Sequence, residues 1–123
     1  MDKKLIANLQ LIYVSDMERS KAFYNYLLNT TPVFETPRYI AYGVDGQALF
    51  ALWTGGATPQ TDTPRYHEIG IMLPSSKDVD ELFEIWSNKP QVKILQEPQT
   101  EIFGRTFLVT DPDGHVIRIC PLD

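Results

Sequence analysis

The sequence predicts an α+β chain built from two tandem βαβββ modules. Three observations predict it. Two amphipathic helical stretches each follow a β-prone apolar run. Three shorter β-prone runs follow each helix. The last two runs of each half are joined by tight-turn chemistry, Asp45-Gly46 in the first half and Asp111-Pro112-Asp113-Gly114 in the second.

The elements follow in order. Residues 5–14 are apolar and β-prone and read as a buried strand. Asp16 is placed to cap a helix whose Phe23, Tyr24, Leu27 and Leu28 share one face, with Glu18, Arg19, Lys21 and Asn25 off it. That helix should stop near Asn29, ahead of Pro32. Residues 33–35, 39–44 and 47–53 read as three short strands. Residues 54–64 have loop composition, so modules of about 5–54 and 66–121 are expected, joined by a loop over 54–65 within one domain spanning 1–123. Gly55-Gly56 lacks the rest of a phosphate-loop motif and reads as a turn.

The second half repeats the order. Residues 68–73 form a strand, and Ser75 or Ser76 caps a helix with Val79, Leu82, Phe83 and Trp86 on one stripe. Strands are expected at 92–96, 105–110 and 115–121, and residues 97–103 read as a surface loop able to cover a cavity.

Composition narrows the function classes. The 123 residues suit one domain with a real core, and 43% hydrophobic with 22% charged residues is ordinary for a globular protein. A net charge of −5 argues against a nucleic-acid partner. No apolar run is long enough to cross a bilayer, and residues 1–4 lead into the first strand without a cleavable leader, so a cytoplasmic protein with no membrane partner is expected. The lone Cys120 cannot build a disulfide framework or a cysteine-rich zinc site.

Three segments carry a resemblance. They are residues 11–24, the start of the second module at His67-Glu68-Ile69-Gly70-Ile71, and residues 107–118 around the Asp-Pro-Asp-Gly turn. In their order and spacing the chain resembles the glyoxalase/bleomycin-resistance family, also called the vicinal oxygen chelate superfamily. The resemblance implies a curved mixed sheet around a cavity, commonly completed by a second subunit, hence a homodimer. It leaves the chemistry open, because one scaffold hosts lyases, isomerases, dioxygenases and sequestering binders.

Metal-dependent members of that family place His, Gln or Glu at one position on the first and last strand of each module. Carried over, these positions fall on Leu9, seven before Asp16; Phe50, four past Gly46; Glu68; and Arg118, four past Gly114. Leu9 and Phe50 have no donor atom, and the permanent cation of Arg118 would repel a divalent metal. No metal and no cofactor are therefore expected. The same register points Leu9, Leu11, Tyr13, Ala48, Phe50, Leu52, Glu68, Gly70, Met72, Val116, Arg118 and Cys120 into the cavity.

Glu68 and Arg118 should then meet as an ion pair. The pair is either structural, each charge satisfying the other, or open to a polar ligand. The ligand-binding candidates are Tyr13, Phe50, Glu68, Arg118, Leu9 and Met72, with Tyr39, Tyr42, Trp53, Phe103 and Phe107 as further aromatic candidates. The expected function is a metal-free binder that sequesters a small molecule, such as an aromatic drug or metabolite. The alternative is a lyase or isomerase of the same superfamily, using Glu68 as general base or a divalent metal. A third alternative is a partner protein whose cavity is vestigial.

Overall fold

A computed structural model describes residues 4–122. Residues 1–3 and Asp123 lie outside the described residues, and with them most of the segment read for a leader. The chain divides into two compact units, 1–59 and 60–123, and the division falls inside the loop-like stretch 54–65.

The first unit holds β1 (Leu9–Tyr13), α1 (Met17–Leu28), β2 (Phe34–Glu35), β3 (Tyr39–Gly43) and β4 (Leu49–Trp53). The second holds β5 (Glu68–Leu73), α2 (Ser76–Ser87), β6 (Lys93–Glu101), β7 (Gly104–Thr110) and β8 (Val116–Pro121). Each unit forms one four-stranded mixed sheet, ordered β1-β4-β3-β2 and β5-β8-β7-β6. In both, the first strand runs parallel to the fourth and the remaining neighbours are antiparallel. The α+β reading of two βαβββ modules holds.

The helices start and stop for the local reasons read in the sequence. Asp16 caps α1 by accepting from the Arg19 amide at 3.1 Å, and Asn29 closes it in the left-handed conformation. Ser75 caps α2, its hydroxyl accepting from the Asp78 amide at 3.3 Å.

Each helix covers one face of its own sheet. Tyr24 of α1 meets Tyr42 and Phe50, with ring centroids 6.5 and 5.1 Å away. The Tyr42 hydroxyl donates to Asn25 Oδ1 at 2.7 Å, and burial pushes that phenol up to about 12. Phe83 and Trp86 of α2 close on Phe107, which is opposite Ile119 on β8. Ile12, Leu52, Ile117 and Ile119 complete these buried faces.

Two strands differ from expectation by more than two residues at an end. β1 begins at Leu9 rather than Leu5, because its parallel partner β4 begins only at Leu49, whose amide donates to the Asn8 carbonyl at 2.8 Å. β6 runs on to Glu101, so residues 97–101 are strand and not loop. Pro98 fits there because β6 is an edge strand and the register slips between Gln96 and Gln99 at a bulge. Only Ile102 and Phe103 remain as the turn into β7.

Candidate functional site

The β7–β8 turn sets the geometry of the second unit's open face, the one opposite α2. Asp111 Oδ1 accepts from the Asp113 and His115 amides at 2.9 and 2.7 Å, and Gly114 takes φ +87°. The turn is braced from outside the hairpin by Arg65, whose Nη2 donates to the Asp113 carbonyl at 2.6 Å.

From that turn β8 runs beside β5 with Glu68 opposite Val116, Gly70 opposite Arg118 and Met72 opposite Cys120. From its place opposite Gly70 the guanidinium reaches along β5 to Glu68. Arg118 Nε and Nη2 donate to Glu68 Oε1 and Oε2 at 2.6 and 3.0 Å, a two-point pair. Nη1 donates to Thr106 Oγ1 at 3.1 Å, and that hydroxyl donates onward to the Ile119 carbonyl at 2.8 Å. The Phe103 ring lies over the guanidinium, 5.3 Å from its carbon to the ring centroid.

The guanidinium holds the Glu68 carboxyl below its usual range, and Glu68 in turn raises Arg118 further above an already high value. The expected pair is present. A carboxylate with both oxygens engaged and its pKa depressed is a weak proton acceptor, which counts against Glu68 as a general base.

In the first unit, the face opposite α1 carries a row of aromatic side chains. Tyr13 is in register with Trp53, and Trp53 with Tyr39. The Tyr39 and Trp53 rings meet edge-on at 6.5 Å, and Phe34 on β2 extends the row, 6.0 Å from Tyr39. Tyr13 is 43% exposed and Phe34 is 56% exposed. Leu9 and Leu11 lie on the same face, further along β1.

Phe50 is the correction. It pairs with Gln10 rather than Leu9, so it points toward α1 with Ile12, and only 8% of it is exposed. Ala48 and Leu52 share its parity. The open face instead carries Leu49, Ala51 and Trp53. Tyr42 and Phe107 are likewise core.

The reason lies in the turns. Each hairpin loop is closed by the same five-residue span, Val44 N to Ala48 O at 3.0 Å and Asp111 N to His115 O at 3.0 Å. Gly46 is the second residue inside its loop, whereas Gly114 is the third inside its own. Counting four from glycine therefore slips by one in the first unit. Counting three from the closing residue gives Arg118 in one module and Ala51 in the other.

The four positions that the family resemblance assigns to metal ligands are then Leu9, Ala51, Glu68 and Arg118. One carboxylate, already bound to a guanidinium, and two hydrocarbons do not suit a divalent cation. His67 precedes β5, outside this face's register.

Of the sequence candidates, Glu68, Met72 and Arg118 share the open face of the second unit. Leu9 and Tyr13 share that of the first. Phe34, outside the sequence candidates, and Trp53, ranked there behind Phe50, lie on the first unit's open face. The parity of Tyr13 extended across the ladder identifies both.

Residues 6–119 match the family described as the Glyoxalase/Bleomycin resistance protein/Dioxygenase superfamily. A phenazine antibiotic resistance protein, EhpR of Enterobacter agglomerans, is 55% identical over 118 residues, 94% of this chain and 92% of that protein. A solution structure of an Agrobacterium tumefaciens protein is similar with a TM-score of 0.81 and 26% identity, covering 98% of this chain and 99% of the other. A glyoxalase/bleomycin resistance protein/dioxygenase from Nocardioides shares the fold with a TM-score of 0.78 at 19% identity, covering 100% and 87% of the two chains.

Proposed function

The chain belongs to the Glyoxalase/Bleomycin resistance protein/Dioxygenase superfamily, and from that premise we propose that it binds and sequesters a planar aromatic antibiotic of the phenazine class. The observation that carries this reading is the 55% identity, over nearly the full length of both chains, to a phenazine antibiotic resistance protein.

The geometry supports it. The row of Tyr13, Trp53, Tyr39 and Phe34 offers flat π surfaces of the kind on which a fused-ring ligand stacks. In the second unit, taken by itself, the Arg118 guanidinium spends three donors on Glu68 and Thr106, which leaves N–H groups for a hydrogen-bond acceptor. Sequestration without turnover fits a site whose one carboxylate is neutralised by its neighbour. We also propose a cytoplasmic homodimer. The exposed apolar side chains of Leu9, Leu11 and Met72 support a second subunit, and a lone cysteine suits a reducing compartment. Among the described residues no helix is long and apolar enough to cross a membrane.

Thermal unfolding with increasing phenazine tests the proposal, because a ligand that binds only the folded chain raises the midpoint by linkage. The wild type should show a saturable rise, and Arg118→Met should lose it while still unfolding cooperatively. No rise with the wild type would overturn the binding reading. An equal rise with Arg118→Met would make the ion pair purely structural.

A further inference from the structure

The two glycines that follow β4 run against aromatic rings. A Cβ placed on Gly55 would lie 2.1 Å from Trp53 Cζ2, and one placed on Gly56 would lie 2.6 Å from Tyr13 Cε2. Carbon atoms in contact sit about 3.5–4.0 Å apart, so neither position has room for a methyl group. Backbone conformation is not the cause. The described glycines with positive φ are Gly46, Gly104 and Gly114, so alanine is conformationally acceptable at both 55 and 56.

What blocks a side chain is in each case the outer end of a ring, and rings can turn about χ1 and χ2. This differs from Gly114, where the obstacle is the Thr61 backbone oxygen at 2.8 Å. A methyl at 55 or 56 would thus displace a ring and leave the strands in place. The two rings affected are the register partners Tyr13 and Trp53, neighbours on the open face of the first unit.

We propose that Gly55 and Gly56 are positioning residues for aromatic stacking. Their bare backbone lies on Trp53 and Tyr13 and holds both rings in the orientation that receives a planar ligand. The inference rests on the planar-aromatic reading above and adds the residues that preorganise that surface. A ring already held by backbone has lost its rotational freedom before the ligand arrives, so binding does not bear that ordering cost.

The chain has two tryptophans, so Trp86→Phe leaves Trp53 as the sole indole. In that background, Gly55→Ala and Gly56→Ala are compared with the parent by thermal midpoint, near-ultraviolet circular dichroism, acrylamide quenching and phenazine titration. Midpoints should stay within a few degrees of the parent. Gly55→Ala should change the Trp53 dichroism and its quenching in the free protein. Both variants should bind phenazine on the order of tenfold more weakly, the size of one lost stacking contact.

Unchanged affinity in both variants would overturn the inference. If the parent itself binds no phenazine, the functional proposal fails instead. The free-protein readings then decide, because unaltered dichroism and quenching in Gly55→Ala would show that the glycine does not set the ring. Should Trp86→Phe disturb the second unit, fluorotryptophan labelling of the natural chain gives one resonance per indole for the same comparison.

Discussion

Arg118 shows how one side chain redirects a scaffold. It occupies a position that the family resemblance assigns to a metal ligand, and it grips both oxygens of Glu68 instead. Because the folded carboxyl is held below its ordinary value, its contribution to stability is full above that ordinary value of 4.5 and is lost as pH falls through the lower folded one. Glu68→Gln should therefore cost stability near neutral pH, by roughly 1 kcal/mol or less because the pair is partly exposed. The gap between the natural chain and the variant should narrow and close as pH falls from the ordinary carboxylate range through the lowered folded value. Urea unfolding at several pH values checks this, and a gap that widened in acid would contradict the assigned pair.

At the scale of elements, the parity of β4 separates core from binding surface. With its ring packed on Tyr24, Phe50 belongs to the core, and Phe50→Ala should destabilise the fold by about 3–5 kcal/mol in denaturant unfolding. A cost below about 1 kcal/mol would place the ring on the open face instead. The β7–β8 turn is equally testable. Gly114→Ala combines φ +87° with a Cβ 2.8 Å from Thr61 O, and should cost about 1–3 kcal/mol. At Gly70 a Cβ meets nothing within 4 Å, so Gly70→Ala should be nearly neutral.

The helices and the strand order were legible because their signals are local: Asp16 and Ser75 as caps, apolar stripes, and turns rich in Asp and Gly. Glu68 and Arg118 were legible because β5 and the β7–β8 turn follow the repeat without a slip. Phe50 was not, since its parity depends on where Gly46 sits inside its loop, which composition alone does not reveal. The length of β6 was hidden by Pro98, which reads as a strand breaker until a bulge on an edge strand accommodates it.

For the whole molecule, two sheets of the same topology carry unlike open faces, an aromatic row in the first unit and a charged pair in the second. In the second unit the Glu68 carboxylate, held low by the Arg118 guanidinium, is a weak proton acceptor. The proposed role is binding without conversion. Equilibrium dialysis of the purified protein against phenazine, followed by mass analysis of the released ligand, tests it most directly. Saturable retention and recovery of chemically unaltered phenazine are predicted; a ligand that is not retained, or that returns with a changed mass, would contradict it.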